Sequence, residues 1–578
     1  MLRSPRGGRE MKTRKLLFPV LIMLLALMSC GTMMAQSTSG WEPWGPRVDE
    51  IIMPIIKHSD ARGIALERKN VAVVSGLTSR QVDRLKANRD LDIVMSPSSS
   101  AMHLTFNMRR APLDADPVRQ AIACVVDRDA IVRAIFDKSN DMLLPCSTIV
   151  PLWNPYHNRD AATFPYNPAK ARELLDRAGY TIDPKSKTRI DPNTGKPMRE
   201  LKILTFSPDA SPTLAEIGKI IADAASQVGL PVKHEPMSVT DMFHKVDARD
   251  FDMYVFSCTF GNTPAYLADF FHSQNSGESG LNASGISLPE LDAVLDAPDL
   301  VSARKAVMDA QAILADKQPM VILYVKPQYD AFNKTMVAGY VSAPGYSAAG
   351  YDNMWTPLNI RCIDRKGKPT VGGILRWALD EEPKNLNPAS PGNTWDRKVL
   401  SKVYDKLIAT DPATLEDVPW MAEKWDIDTW EISAGEKGTV ITFYIRKGIK
   451  WSDGTQFTAD DVKFTIDYLR DNCVPRYLDL THQIDKIELL NKYTVKTYFN
   501  TLSCWQLYDI NDLYFLPKHI WKDVKDWKSF QPWKEPHPSI KGYTKLVGLG
   551  PFIFKEYKPG EFVRLAKNPN YWRLEPTE

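Results

Sequence analysis

The sequence predicts an α/β fold. Three observations carry that expectation. Short apolar runs of strand length alternate with amphipathic stretches of helical period along most of the chain. The helical stretches open on Pro, Asn or Thr and stop at Gly. Turn pairs such as Asp453-Gly454 separate them. At 578 residues, 44% hydrophobic and 25% charged, the chain is long enough for two or three domains with sizeable cores.

The elements follow in order. Residues 48–57 and 101–107 are predicted strands, and 117–137 is a predicted helix with Val118, Ile122, Val125, Val126, Ile131 and Ile135 on one side. Asn167-Pro168 opens a helix that runs through Leu174 and Leu175 and ends near Gly179. Residues 201–206 are a strand, 212–228 a helix and 251–256 a strand. Ile441–Ile445 alternates as a strand, Trp451-Ser452-Asp453-Gly454 turns, and Thr458-Ala459-Asp460-Asp461 is a capping box that opens a helix through Leu469. Around 361–373 the chain turns polar and ends on Gly372-Gly373, which marks a linker or boundary. There is no long internal repeat and no low-complexity tract.

Residues 1–30 are predicted to be a targeting segment. Arg14 and Lys15 precede the apolar run Leu16 to Met28, too short to span a bilayer. Leu27-Met28-Ser29-Cys30 resembles a bacterial lipobox, which makes Cys30 the lipidated mature N-terminus and 31–46 a tether. Cleavage after Ala35, giving a soluble secreted protein, is the alternative. Of the remaining cysteines, none forms a Cys-x-x-Cys pair or has a His at ligand spacing, so a zinc site is not expected. A disulfide is permitted outside the cytoplasm, and Cys473–Cys504 is the candidate pair, with buried free thiols as the other reading.

The net charge of +3, from 73 basic and 70 acidic residues, argues against a polyanion partner such as nucleic acid. No Gly-x-Ser-x-Gly elbow, His-Glu-x-x-His motif, P-loop or dinucleotide fingerprint is present, which argues against an enzyme. No cofactor is expected.

From residue 373 onward the sequence becomes specific. Gly373 to Ala378, Asn385-Leu386-Asn387-Pro388, Val403-Tyr404-Asp405-Lys406-Leu407, Phe443 to Gly454 with the Thr458 helix start, Gly548 to Phe552 and Asn568-Pro569-Asn570-Tyr571-Trp572 follow one another. Together they resemble the N-terminal half of the peptide/nickel-type extracellular solute-binding proteins, family 5. The family's continuation lies in the first half of this chain: Val48 to Ile52, Phe106-Asn107, Val118 to Ile122 with Asp127-Arg128, the helix after Tyr166, Phe251-Asp252, Asn282, Pro289 to Asp292, and Tyr351 to Asn353. Each landmark occurs once. The order is that of a circular permutant with 47–360 as the family's C-terminal half, 361–372 joining its natural ends and 373–578 as its N-terminal half. A truncated fusion of two tandem binding proteins is the alternative.

The resemblance implies a two-lobed, type II periplasmic-binding fold with a hinge, one lobe spanning about 72–325. It implies an extracytoplasmic substrate-binding protein that holds a peptide or other small solute between its lobes and delivers it to an ABC permease. A ligand-sensing lipoprotein is the alternative role. The implied ligand-contacting residues are Asn393, Thr394 and Trp395 in the loop after Pro388, and Ser257, Cys258, Thr259, Phe260 and Asn262 in the specificity loop. His103 and Asn107 on a cleft strand and Tyr324 at the second crossover complete the set; a satisfied structural role is the other reading for His103, and packing against its own lobe the other reading for Trp395. Peptide-binding relatives carry an acidic residue in the specificity loop for the ligand's ammonium group. This chain has none between Met253 and Ala268. Arg119, Asp127-Arg128, Arg446 and Asp453 are read as structural, with Arg119 and Asp127 as helix-surface ion-pairing and capping partners.

Overall fold

The computed structural model describes residues 41–135, 149–261, 263–343, 353–390 and 392–574. The expected targeting segment 1–30 with Cys30, as well as Cys146 and Asn262, lies outside them. From Pro43 onward the chain forms one compact unit with a two-lobed α/β architecture.

The strands that organise it are β1 (Glu50–Pro54), β2 (Val73–Leu77), β3 (Leu91–Phe106), β4 (Leu201–Phe206), β5 (Val232–Met237), β6 (Met253–Thr259) and β7 (Met320–Asn333). One lobe, the sheet lobe, is built on a six-stranded sheet in the order β2-β7-β3-β6-β4-β5. The parallel pair β4–β5 is covered by the helix Pro212–Ser226. That helix starts as its sequence dictates: Pro212 at the first position, and Ser211 accepting from the Leu214 N–H. Its inward face, Leu214, Ile217 and Ile221, joins Leu104, Leu201, Ile203 and Val255 in one core.

The other, base lobe carries two four-stranded sheets. In the first, β1 lies between Ile374–Arg376, to which it is parallel, and Phe562–Lys567, to which it is antiparallel; Phe552–Lys558 forms the outer strand. The second orders as Ala422–Ser433, Glu436–Ile445, Thr494–Phe499 and Ile484–Asn491. Its flanking helix Ala459–Asp471 begins with the expected capping box between Thr458 and Asp461.

Two long strands, β3 and β7, run through both lobes. Their ladder shifts register between Pro97↔Pro327 and Ala101↔Val325. Pro97 and Pro327 are register partners, and neither has an N–H for the ladder, so the ladder is irregular at that point. Below it, Leu91–Ser96 pairs with Gln328–Asn333 and β2 joins on β7's other side. There the backbone ties to the base lobe, Ala72 N–H to Arg376 O at 2.8 Å and Ala378 N–H to Val73 O at 2.9 Å.

The chain's first and last described segments meet. Gly45 N–H donates to Arg573 O at 3.0 Å, and Lys567 N–H to Asp49 O at 2.7 Å. Residues 361–372 are ordered: Arg361–Ile363 pairs with Pro369–Thr370 and with Val337–Ala338, and Asp364 closes the turn by accepting from the N–H groups of Lys366 and Lys368.

Two local expectations change. The stretch 117–137 is not one helix but two, Asp116–Val125 and Arg128–Ile135, because Val126 is extended and Asp127 caps the second by accepting from the Ala130 N–H at 2.8 Å. Arg119 is fully buried, not on a helix surface. It donates to Lys317 O, Leu113 O and Asp116, so its charge and its hydrogen-bonding capacity are met internally.

Candidate functional site

A cavity of about 870 Å³ lies between the lobes, within the range of small-molecule sites. The sheet lobe contributes Trp153, Tyr156, Phe260, Tyr266 and Arg304; the base lobe contributes Lys406, Asp417, Trp425, Arg476, Tyr508, Asp509 and Asp512. Aromatic rings and both signs of charge therefore share one chamber. Lys406 Nζ pairs with Asp512 at 2.8 Å. The Tyr508 hydroxyl donates to Asp417 at 2.5 Å, while burial holds the Asp417 carboxyl above its usual range. Arg304 lies over the Tyr156 ring at 5.3 Å and donates to Pro155 O. Asp509 is raised to about 6 by enclosure in protein and by its carboxylate neighbours Asp512, Asp269 and Asp479.

Next to this chamber the lobes touch directly. Cys504 and Trp505, in the loop that opens the helix Gln506–Asn511, are buried in a cluster with Val294, Ala297, Phe260 and Tyr266 of the sheet lobe. The Trp505 indole N–H donates to Val294 O at 2.6 Å, and Cys504 N–H to Ala297 O at 2.8 Å. This also corrects the disulfide expectation. Cys504 is a free thiol facing the sheet lobe, and Cys473 is a free, exposed thiol just past the helix Ala459–Asp471.

A second cavity of about 660 Å³ lies at the end of the six-stranded sheet. Ser257 and Tyr324 line it, whereas Phe260 lines the first. The predicted specificity loop thus stands between the two chambers. Within it, Cys258 is pushed up to about 12 by burial, Thr259 Oγ1 is 2.7 Å from Ser100 Oγ, and Phe260 stacks on Tyr266 with centroids 4.7 Å apart.

Other expected contacts have structural positions. His103 is 2% exposed, 2.9 Å from Thr105 Oγ1 and edge-on to Tyr254 and Phe256; burial lowers its pKa to about 3. The Asn107 amide donates to Arg249 O and Phe251 O at 3.0 Å, and its oxygen accepts from Arg109 N–H. Asn393 caps the helix Thr394–Val403, accepting from Asp396 N–H. Trp395 donates its indole N–H to Asp380 at 2.8 Å, and the Thr394 hydroxyl oxygen lies 3.4 Å from Arg397. None of these five lines either cavity. Among the described residues no group of three or more His, Cys, Asp or Glu is placed to hold a metal ion.

The motifs themselves are explained by what they bond. Asp405 is buried and accepts from the Trp420 and Trp572 indoles, the Tyr571 hydroxyl and the Lys406 N–H, which ties Val403–Leu407 to Asn568–Trp572. Asp453 accepts from Thr455 N–H and from His519 and His537; against the opposing effect of burial, its contacts with His519 and Thr455 lower it to about 2.

Sequence reasoning did not find Trp153, Tyr156, Asp417 or the segment Trp505–Asp512. The one signal was the spacing Trp505-x-x-Tyr508-Asp509, an aromatic pair one helical turn apart with an acid beside it.

The chain resembles known proteins over part of its length. It is 26% identical over 310 residues to the glutathione-binding protein GsiB of Salmonella choleraesuis, an alignment covering 52% of this chain and 57% of that one. The Escherichia coli K12 protein of the same name is 24% identical over the same extent. The chain thus spans little more than half the length of these relatives. Among solved structures it is similar to HbpA2 from Haemophilus parasuis (19% identity, TM-score 0.45, 53% of this chain and 57% of that one). It is also similar to a periplasmic oligopeptide-binding protein of an ABC transporter from Thermotoga maritima (19% identity, TM-score 0.44, 53% and 61%). The family model described as bacterial extracellular solute-binding proteins, family 5 Middle, matches residues 41–278 and 416–577. With well over half its residues in that match, the chain belongs to the family 5 extracellular solute-binding proteins.

Proposed function

We propose that this protein is the extracytoplasmic substrate-binding component of an ABC importer, capturing a peptide or other small dipolar solute between its lobes and presenting it to a membrane permease. The observation that carries this reading is the 870 Å³ chamber whose walls come from both lobes and offer carboxylates, guanidinium groups and aromatic faces together. A ligand held there touches both walls, so it favours the closed arrangement by its differential contacts. The irregularity in the β3–β7 ladder is the natural hinge. The carboxylates on the base-lobe wall, Asp417 and Asp509, supply the ammonium partner that the specificity loop lacks. GsiB, by its name, binds glutathione, a dipolar solute of fitting size. Lipidation at Cys30 tethers the protein to the membrane.

We further propose that the chain is one binding protein in permuted order. Two features support this: the contact between the segments around Gly45 and Arg573, and a match to GsiB over only about half of each chain. Native mass spectrometry of the purified chain lacking its first 30 residues tests the function. A co-purified small molecule, lost from a Tyr508→Ala, Arg304→Ala variant, is expected. A protein that carries no ligand and binds none from a peptide and amino-acid library overturns the proposal.

A further inference from the structure

We propose that Tyr508 is a positioning residue for Asp417: its hydroxyl holds one carboxylate oxygen and leaves the other to a ligand's ammonium group, so the pair selects for solutes with a cationic end. The inference rests on the reading of the interlobe chamber as the ligand site. It gives that site a specificity device on a ribbon and a helix of the base lobe, away from the specificity loop.

Both partners are set in place before any ligand arrives. Asp417 opens the strand Asp417–Pro419, which pairs with Ile408–Thr410 in a two-stranded ribbon. Tyr508 stands on the helix Gln506–Asn511. The two elements are bonded to each other: Asn511 accepts from the Ile408 N–H at 2.8 Å and donates to Ile408 O at 3.1 Å. The Tyr508 ring lies beside Trp505, with centroids 6.0 Å apart. The hydroxyl bond to Asp417 therefore joins two fixed elements of one lobe. An acceptor aligned in advance loses little freedom when a ligand binds.

The charges around the pair point the same way. Burial pushes the Asp417 carboxyl up, and the Tyr508 hydroxyl pulls it back by stabilising the anion. Burial and the Asp417 charge hold the Tyr508 phenol far above its ordinary value, so it stays a donor. Glu416, next along the chain, opposes ionisation of Asp417. Lys406 and Arg476 pair with Asp512 at 2.8 and 3.6 Å, and Arg304 lies over the Tyr156 ring. Arg397 and Asp509 complete the charged lining. Without the Tyr508 hydroxyl, Asp417 takes a proton more readily and loses its hold on a cation as pH falls.

The test uses benzylamine as a cationic probe and benzyl alcohol as its neutral counterpart, with binding to the purified protein followed by saturation-transfer NMR. The Asp417 carboxyl is followed by carboxyl-carbon NMR of aspartate-labelled protein, its signal being the one missing from Asp417→Asn. Tyr508→Phe keeps the ring and removes only the hydroxyl; a retained melting temperature shows that it folds. The parent should bind benzylamine saturably, and benzyl alcohol at least about tenfold more weakly. In Tyr508→Phe the Asp417 midpoint should lie higher than in the parent. Its benzylamine affinity should also fall at least about threefold more than the parent's between about pH 7.5 and about pH 5.5. Asp509 titrates in both proteins, so the difference between them isolates Asp417. A midpoint that does not move, parallel pH profiles, or no saturable benzylamine binding at millimolar concentration overturns the proposal. If Tyr508→Phe does not fold, Asp417→Asn decides: it should abolish the preference for benzylamine at every pH, and a surviving preference overturns the proposal. None of these readouts needs a transported solute, so the absence of a ligand in native mass spectrometry counts against the transport reading alone.

Discussion

Replacing Trp505 by Ala is expected to open the molecule without unfolding it. Trp505 is rooted in the base lobe: the preceding Ser503 N–H donates to Thr439 Oγ1 at 2.7 Å, and Thr439 N–H to Thr501 O at 3.0 Å. Its ring, 4% exposed, is buried in the other lobe against Val294, Ala297 and Tyr156. Truncating a buried Trp to Ala costs about 3–5 kcal/mol, of which the lost hydrogen bond to Val294 O is about 1. Because the lost contacts cross the interface, most of that cost falls on the closed state. The closed-to-open ratio should drop by about two to three and a half powers of ten. Small-angle scattering of the ligand-free protein should show a larger radius of gyration for the variant and a return toward the parent value when ligand is added. The control is Trp521→Ala. Trp521 is fully buried within the base lobe beside Tyr468 and Phe530, so it should lower the melting temperature and leave the scattering curve alone. A Trp505→Ala profile that superposes on the parent's, with a melting loss like that of Trp521→Ala, would refute the latch.

Three further outcomes follow from the buried groups. Asp405, raised to about 6 by burial, lies above its unfolded value of about 4, so its contribution is full below pH ~4 and is lost as pH rises through 6. Urea titrations of the parent and Asp405→Asn should therefore differ by about 2–3 kcal/mol more at one end of that window than at the other, and parallel curves would contradict the assignment. His103, lowered to about 3, acts in the opposite sense: its contribution is present above pH ~6.5 and lost as pH falls toward 3, an order of 4–5 kcal/mol. Its imidazole NMR signals should not titrate between pH 5 and 8 (roughly the range where an exposed His does), and a midpoint near 6.5 would sink this. Phe260→Asp, which restores an acid to the specificity loop, should cost at least about 3 kcal/mol, because Phe260 is wedged between Tyr266 and Phe270; an undiminished melting temperature would show the loop to be free.

What was legible in the sequence is what depends on neighbours along the chain. β4 spans the expected residues 201–206, the Thr458–Asp461 capping box forms, and Asn167 caps its helix by accepting from Lys170 N–H. These are decided by side-chain alternation and by hydrogen bonds three residues apart. The family motifs were visible as words, and their physical content appears only in three dimensions. Asp405 needs Trp420, Tyr571 and Trp572, the farthest 167 residues away. The cavity walls were hidden for the same reason. Phe260 looks like a loop residue until Tyr266 and Phe270 return from the next helix to enclose it. Cys504 looks available for a disulfide until Ala297 of the opposite lobe covers it. Arg119 is polar by composition and buried by position, a state no periodicity signals, since three carbonyl and carboxylate partners make it stable. Residues 393–395 were candidates for the cleft by resemblance, with packing against its own lobe as the other reading for Trp395; Asn393 caps a helix by accepting from Asp396 N–H, and Trp395 donates to Asp380.

The strand order also decides whether the two halves of the chain are separable. β1, from the first half, is an inner strand of a sheet whose other three members come from residues 374–376, 552–558 and 562–567. Removing it leaves two facing edges with unpaired N–H and C=O groups. Conversely, the first half alone would expose Ile51 and Met53, both at most 1% accessible in the whole molecule. The Arg564–Glu50 pair, bonded through both carboxylate oxygens at 2.7 and 3.1 Å, fixes the register from the second half. Neither half therefore satisfies its own backbone. A protease site placed in the exposed turn at Arg365–Lys366, and cleaved after folding, should leave a two-chain complex that melts in a single transition close to that of the intact protein. Two separated transitions, or two fragments that elute apart and each keep their secondary structure, would mean that the halves are independent domains. The interleaving of β1 would then contribute little to the fold.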